Sequence, residues 1–183
     1  MNEQSLVERQ LDSKLIFDGR ILHVYDDAVA LPNGNKASRE LIRHIGAVCV
    51  IPVTEDGNVI VERQFRYPVG RVLTEIPAGK LDYAGEDPEE AARRELREET
   101  GFTAEKMIPL GVFYPAAAYS SEAIHMFLAQ GLHKGAQDLD PDEFLTVQTV
   151  PLKELAAQVL AGEIPDIKTQ AAVLRAYLML QNQ

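Results

Sequence analysis

The segment GKLDYAGEDPEEAARRELREETGF, residues 79–102, decides the fold because it encodes a loop followed by a short, highly charged helix. Asp87 is a favourable N-cap residue, Pro88 suits the first helical position, and Glu90 completes a capping-box pattern. Gly101 suits the position just past the last turn, where the backbone often becomes left-handed. These signals predict a helix that begins at Pro88 and ends before Gly101.

Three glutamates of the predicted helix, Glu95, Glu98 and Glu99, share one face because they are three and four residues apart. Like charges repel there, and they lie near the negative end of the helix dipole. A hard divalent cation would remove both penalties, since carboxylates are its preferred ligands. The pattern therefore predicts a metal site, with an ordinary solvated face as the alternative. Ala92 and Leu96 form a narrow apolar stripe that can dock on a core.

Length and charge limit the class of protein. The 183 residues suit one domain with a small additional lobe. The net charge of −10 argues against a nucleic-acid partner. Cys49 is the single cysteine, so an internal disulfide is excluded. The sequence shows neither a signal-peptide pattern nor an apolar run of membrane-spanning length, so we expect a cytoplasmic protein with no membrane partner.

The charged segment also carries a longer ordered motif, formed by Gly79, Glu86, Arg94, Glu95, Leu96, Glu98, Glu99, Gly101 and Phe102. This order resembles the Nudix hydrolase signature, G-x5-E-x7-R-E-U-x-E-E-x-G-U, where U is a bulky aliphatic residue. Six residues instead of five separate Gly79 from Glu86. We expect the loop at 82–85 to absorb the extra residue without changing the helix register.

The resemblance implies an α/β fold, the Nudix fold, which is an α/β/α sandwich on a mixed sheet. It also implies hydrolysis of a pyrophosphate bond that depends on Mg²⁺, with Mn²⁺ as the alternative ion. Glu95 and Glu99 are the implied principal metal ligands, and Glu98 is a ligand or a supporting group. Glu86 would be a more distant carboxylate, and Arg94 would orient a glutamate. The catalytic base would be a glutamate of this motif, with Glu98 and Glu99 as candidates, or an acid of a later loop.

Two segments before the helix resemble Nudix enzymes that act on nucleoside diphosphate sugars such as ADP-ribose. The first is ERQFRYP, residues 62–68, in which Arg66 is expected to contact the pyrophosphate and Arg63 is the second candidate. Tyr67 could stack on a base. The alternative is a strand end with snorkelling arginines. The second segment is EIPAG, residues 75–79, which implies that the Ala78 carbonyl is a further metal ligand.

Two segments after the helix add candidates. ADP-ribose hydrolases of this subgroup carry a proline at the position of Ala117, so its absence argues against a specificity for ADP-ribose alone. Glu122 aligns with a loop acid of the subgroup and is a substrate-binding candidate. In the acidic run at 138–143, Asp142 and Glu143 are the best candidates for a metal ligand or general base, and Asp140 remains open. The alternative is a solvated loop.

Residues 1–44 are predicted to form a small N-terminal antiparallel β lobe, with a loose arm at 1–12 and a hairpin turn at 32–35. Such a small sheet must pack on the main domain or on a second subunit, and we expect the second, so that the lobe mediates a homodimer. Residues 45–183 are predicted to form the Nudix hydrolase domain, in which a buried strand at 45–53 pairs with a strand at 59–65. Two amphipathic helices end the chain. Their expected packing faces are formed by Leu152, Leu155, Val159 and Leu160 in the first and by Ile167, Ala171, Leu174 and Leu178 in the second.

The predicted reaction cleaves the P–O–P bond of a nucleoside diphosphate sugar to give a nucleoside monophosphate and a sugar phosphate. One alternative is a Nudix hydrolase for a dinucleoside polyphosphate or a nucleoside triphosphate, which residues 62–68 and 75–79 disfavour. Another is a nucleotide-sugar sensor without catalysis, which the complete set of glutamates disfavours. The four histidines show no metal-ligand spacing and are expected to be structural or superficial; they are His23, His44, His125 and His133.

Overall fold

The computed structural model describes residues 2–181. Ten strands and three α-helices follow one another along this part of the chain. They are β1 (Arg9–Asp18), β2 (His23–Ala30), β3 (Lys36–Arg43), β4 (Ala47–Pro52), β5 (Asn58–Arg66), β6 (Arg71–Glu75), β7 (Ala78–Lys80), α1 (Pro88–Thr100), β8 (Phe102–Phe113), β9 (Ile124–Lys134), β10 (Leu145–Pro151), α2 (Leu152–Leu160) and α3 (Ile167–Gln181).

The strands form three sheets. The N-terminal sheet has the order β1-β2-β3, and a second sheet has the order β10-β5-β6; both are antiparallel. The third sheet has the order β7-β4-β9-β8. Its central pair, β4 and β9, is parallel, whereas β7 and β8 run antiparallel to their neighbours. The predicted mixed sheet is thus confirmed.

Strand β4 is buried along its whole length and separates two hydrophobic cores. Val48 and Val50 pack in one core with α1. Cys49 and Ile51 lie in the other core with β5, α2 and α3. This alternation follows from the two-residue period of a strand, which directs successive side chains to opposite faces. Helices therefore cover both faces of the central sheet, which confirms the predicted α/β/α sandwich.

Helix α1 has the predicted ends. The Asp87 carboxylate accepts hydrogen bonds from the backbone N–H groups of Glu89 and Glu90, at 2.8 and 3.1 Å. Gly101 ends the helix with a φ of 75°, in the left-handed region that favours glycine. Ala92 and Leu96 are fully buried against the sheet. The apolar stripe thus fixes the rotation of the helix, with Glu95 and Glu99 directed toward β7.

Three expectations about secondary structure are wrong. The arm at 1–12 is not loose throughout, because β1 begins at Arg9 and pairs with β2. Strand β5 pairs with β10 and β6, and only one bridge, Val53 to Val59, joins it to the β4 segment. Both edges of β4 are already occupied by β7 and β9. Leu160 of α2 and Ile167 and Leu178 of α3 were expected on packing faces, but all three are exposed. The fully buried side chains of α3 are smaller: Thr169, Ala172, Val173 and Ala176.

The N-terminal sheet is joined to the rest of the chain through the end of β3. The N–H of Ile42 donates to the Tyr119 carbonyl at 2.8 Å, and the N–H of Ser121 donates to the Ile42 carbonyl at 3.0 Å.

The division of the chain into 1–44 and 45–183 stays a prediction. Within the described residues, no helix is both long and apolar enough to cross a membrane; the cytoplasmic location also stays a prediction.

Candidate active site

Two cavities meet at strand β7, and both are lined by Ala78, Gly79 and Lys80. We call the first, of about 230 Å³, the basic cavity; its other lining residues are His44, Ala47, Val48, Arg66, Glu122, Ile124 and Lys168. We call the second, of about 260 Å³, the acidic cavity; its other lining residues are Asp82, Arg94, Glu95, Glu98, Glu99, Asp138, Asp140 and Glu143.

Glu99 lies at the junction of α1 and β7 and is only 2% exposed. One of its carboxylate oxygens accepts a hydrogen bond from the Ala78 N–H at 2.8 Å. Burial raises the pKa of Glu99, and the nearby carboxylates of Glu62 and Glu95 raise it further. The fold therefore holds an acid where ionisation is unfavourable unless positive charge is supplied. The predicted role of the Ala78 carbonyl as a metal ligand stays a prediction.

Glu95 occupies space that only a glycine at position 79 leaves open. A Cβ at Gly79 would lie 2.1 Å from the carboxyl carbon of Glu95. Arg94 donates to the same carboxylate through Nη1, at 2.7 Å. Burial nevertheless raises the pKa of Glu95 to about 7. The first glycine of the motif is therefore required sterically, because it lets the helix carboxylate pass close to the strand backbone.

Arg94 links several acids at the mouth of the acidic cavity. Its nitrogens lie 2.7 Å from Glu95, 3.3 Å from Glu86 and 3.6 Å from Glu98. Glu86 also accepts a hydrogen bond from the Asp82 N–H at 2.7 Å, and this bond closes the loop that holds the additional residue. The helix register is intact, as expected. The contacts also agree with the expectation that Arg94 orients a glutamate.

The 138–143 segment covers the acidic cavity with a subset of its acids. Asp138, Asp140 and Glu143 line the cavity, whereas Asp142 is exposed and does not. The segment is tied to α1 because the Asp138 N–H donates to the Glu98 carbonyl at 3.0 Å. Burial raises the pKa of Glu143, and nearby Asp140 raises it further. Of the two candidates preferred from the sequence, the structure brings Glu143 to the site and leaves Asp142 outside it.

Arg66 lines the basic cavity in a fixed orientation. Its Nε and Nη2 donate to the two carboxylate oxygens of Glu75, at 2.7 and 2.8 Å. Lys168 of α3 also donates to Glu75 and lies 3.1 Å from Asp166. Burial alone would raise the pKa of Glu75, but the hydrogen bonds from Arg66 and Lys168 outweigh it and lower the pKa. This network places two cations beside the cavity.

Glu62 is a buried acid close to Glu99 that was not identified from the sequence. It is fully buried, and neither of its carboxylate oxygens has a hydrogen-bond partner in the described structure. Burial raises its pKa, although Lys168 nearby opposes the shift. The available signal was its spacing from Arg66, because residues four apart in a strand share a face. The same rule places Arg63 on the opposite face.

Arg63 and Tyr67 line neither cavity. Arg63 is exposed beside Phe65 and Phe144 on the outer face of the second sheet. Tyr67 begins a 3₁₀ turn and is 87% exposed. The structure of this chain therefore does not bring these two predicted substrate-binding residues to the site. Glu122, in contrast, lines the basic cavity together with Arg66.

The donor chemistry at this junction fits a hard divalent cation. The acids supply carboxylate oxygens, the ligands that Mg²⁺ prefers. The carboxylate oxygens of Glu62 have no hydrogen-bond partner among the described residues, and burial raises the pKa of Glu95. The positive charge near these acids is therefore too small to offset their burial. In residues 2–181, no three Asp, Glu, His or Cys side chains converge closely enough to hold an ion as they stand. Glu95 and Glu99 would hold the ion. Glu98, whose side chain is 28% exposed, would lie at the edge of this site.

Gly79→Ala should weaken Mg²⁺ binding because the new methyl group would displace the Glu95 carboxylate. We expect about a tenfold or greater loss of affinity by isothermal titration calorimetry. The melting temperature should change little, since the end of a flexible side chain can move aside. Gly19→Ala is the matched control: its Cβ would meet the exposed Phe17 ring at 2.7 Å, outside both cavities. Equal affinities of Gly79→Ala and the parent protein would contradict this account of the glycine.

Stability without metal should decrease as pH rises. Folding raises the pKa of Glu95 to about 7, so its protonation stabilises the folded chain. This contribution is fully present below the unfolded pKa of about 4.3 and is lost as pH rises through about 7. Added Mg²⁺ should therefore raise the melting temperature more at about pH 8 than at about pH 5. Differential scanning calorimetry in EDTA and in MgCl₂ measures both values, and equal increments would refute the expectation.

Comparisons with known proteins agree with this architecture. A family model described as the NUDIX domain matches residues 43–171. A Bacillus subtilis (strain 168) protein named ADP-ribose pyrophosphatase is 42% identical over 180 residues, which cover 97% of this chain and 96% of the relative. A Bacillus methanolicus protein named methanol dehydrogenase activator is 41% identical over 176 residues, which cover 95% and 94%.

A solved structure described as an ADP compounds hydrolase superposes with a TM-score of 0.85 at 25% identity, and covers 97% of both chains. The superposition confirms the predicted Nudix fold over nearly the whole length. The family match spans β4, β7 and α1, the elements that carry the acids of the site. The motif, the fold and the relatives lead to the same conclusion, and this chain belongs to the NUDIX family.

Proposed function

We propose that this protein hydrolyses the pyrophosphate bond of a nucleoside diphosphate sugar, such as ADP-ribose, with Mg²⁺ as its cofactor and Mn²⁺ as an alternative ion. One observation carries the proposal: a cavity lined by carboxylates and a cavity lined by fixed cations share the β7 residues Ala78, Gly79 and Lys80. The first suits metal ions, and the second suits the phosphate and sugar of the substrate. The name of the Bacillus subtilis relative, ADP-ribose pyrophosphatase, supports this substrate class.

Charge explains why the metal and the substrate would bind in different cavities. The protein has a net charge of −10, and an anionic pyrophosphate is repelled by the acidic cavity alone. Arg66, Lys80 and Lys168 line the basic cavity and would hold the phosphate oxygens. Because Glu75 already fixes the guanidinium of Arg66, little conformational freedom is lost on binding. Lys80 lines both cavities, so it lies beside the path between them.

When bound, Mg²⁺ would lower the pKa of a water molecule and neutralise charge on the phosphate oxygens. Glu95 and Glu99 would hold the ion, while the Ala78 N–H keeps Glu99 in place. The water oxygen bonds to one phosphorus atom, and the bridging oxygen leaves with the other phosphate. We assign the proton from water to a carboxylate that lines the cavity, Glu143 or Glu98, and not to the exposed Asp142. The products are a nucleoside monophosphate and a sugar phosphate.

Incubation with Mg²⁺ and a panel of nucleotide sugars, nucleoside triphosphates and a dinucleoside polyphosphate tests the reaction. Added phosphatase releases phosphate from each product for detection. We expect turnover of one or more nucleotide sugars. Glu99→Gln should reduce kcat by at least about 100-fold, because it removes a buried ligand charge. Glu90→Gln makes the same change on an exposed position of α1 and should leave kcat unchanged.

Each other outcome of the panel has a defined meaning. Turnover of triphosphates or dinucleoside polyphosphates alone would overturn the nucleotide-sugar assignment. No turnover of any compound, with Mg²⁺ or Mn²⁺, would overturn the enzyme hypothesis; if nucleotide sugars still bound, a sensor would be favoured. An unchanged kcat in Glu99→Gln would remove this residue from the metal site.

We also propose that the N-terminal sheet joins two copies of the chain. Large apolar side chains of β1 and of the turn that follows it are exposed: Leu11, Leu15, Ile16, Phe17, Ile21 and Leu22. Six large exposed apolar side chains within residues 11–22 are typical of a surface that another chain covers. Sedimentation equilibrium should give a dimer mass for the full chain, and Phe17→Glu should shift it toward the monomer. A monomer at all concentrations up to about 100 µM, where even weak specific association is populated, would contradict the proposal.

A further inference from the structure

His44 lines the basic cavity, although the sequence gives it no recognisable function. It follows the end of β3 and precedes β4, and it is half-buried. Arg66, Glu122 and Lys168 line the same cavity. A histidine among these charged groups is close to any phosphate or sugar that the cavity holds. The position of His44 therefore differs from the structural or superficial one expected from the sequence.

The backbone next to His44 fixes which ring nitrogen carries the proton. The Gly46 N–H donates to His44 Nδ1 at 3.0 Å. A backbone N–H can only donate, so Nδ1 is the acceptor and the neutral ring carries its hydrogen on Nε2. Gly46 permits this turn because its φ is 112°, which an L side chain rarely adopts. The His44 ring thus has an N–H donor at its outer end.

His44 and Glu122 are held on two neighbouring segments. Ile42 and Ser120 form a parallel bridge, and the His44 N–H donates to the Ser121 hydroxyl at 2.9 Å. The Glu122 N–H donates to the Ser120 hydroxyl at 3.1 Å. These bonds tie the end of the N-terminal sheet to the loop that carries Glu122. The cavity therefore has one ring N–H donor and one carboxylate acceptor, carried by segments that are tied together.

We propose that His44 and Glu122 together bind hydroxyl groups of the sugar attached to the pyrophosphate; this inference rests on the proposed function. A hydroxyl both donates and accepts, so it can receive the His44 Nε2–H and donate to the Glu122 carboxylate. A third phosphate group would be repelled by Glu122. The pair consequently selects a sugar over a longer polyphosphate. Apolar lining residues, including Ala47 and Ile124, are suited to the carbon atoms of the sugar ring.

Two substitutions of His44 separate binding from folding. An asparagine can retain the acceptor near Nδ1 for Gly46 but has no donor at the position of Nε2. A glutamine can place its amide near Nε2 but loses the acceptor near Nδ1. With ADP-ribose, His44→Asn should raise KM about tenfold with kcat within about twofold, the effect of a hydrogen bond made equally in the ground and transition states. His44→Gln should keep KM within about threefold but lower the melting temperature, because the Gly46 N–H loses its partner.

Isothermal titration calorimetry with ADP-ribose in the Glu99→Gln background measures the same interaction without turnover, and His44→Asn should weaken binding about tenfold there too. His133→Asn is the control, because His133 is exposed on β9 and lines neither cavity. Unchanged KM and affinity in His44→Asn would overturn the inference, whatever the result for His44→Gln. Failure of the proposed function is separate: it would appear as absent turnover by the parent protein.

Discussion

The hydrogen bond from the Ala78 N–H to the Glu99 carboxylate joins the two halves of the site. It connects the last turn of α1 to the edge strand of the central sheet, at the boundary of both cavities. The bond gives one oxygen of this almost completely buried carboxylate a hydrogen-bond partner in place of water. It does not compensate the charge, since burial and neighbouring acids still raise the pKa of Glu99. The fold thus retains an electrostatic penalty at this point, which a bound cation can relieve.

This penalty persists because packing of the surrounding structure fixes the backbone from which the acids extend. Leu96 and Ala92 lock the rotation of α1 against the sheet. Gly79 provides the space in which the Glu95 carboxylate lies, and Arg94 donates a hydrogen bond to the same carboxylate. Apolar packing and one missing Cβ therefore determine where the charged groups are placed. Functional sites commonly contain such local costs, which are offset by stabilisation elsewhere in the fold.

The parts of the structure that could be predicted depend on short-range rules. The boundaries of α1 followed from Asp87 and Gly101, and the buried β4 followed from its continuous apolar run. The partners of β5 could not be predicted, because strand pairing depends on which edges other strands already occupy. The exposed location of Arg63 was predictable in principle: it is three residues from Arg66, and a strand directs such residues to opposite faces.

Glu62 and His44 were missed for different reasons. Glu62 lies in a segment in which only the arginines and a tyrosine were predicted to bind substrate. Its burial depends on packing between separate elements of the fold. His44 depends on a turn at Gly46 and on a parallel bridge to Ser120. The spacing of Glu62 from Arg66 indicated a shared face, but neither the burial of Glu62 nor the bridge to Ser120 follows from a local sequence pattern.

The N-terminal sheet is connected to the wall of the basic cavity. The bonds that anchor this sheet, at Ile42 and His44, are made to the loop that precedes Glu122. If the sheet joins two copies, assembly would hold this loop and His44 more firmly, because ordering one side of a hydrogen-bonded pair restricts the other. On the opposite wall, Lys168 of α3 and Arg66 are both bound to Glu75. The chemical step would then depend on α1, and recognition of the sugar on elements contributed by both ends of the chain.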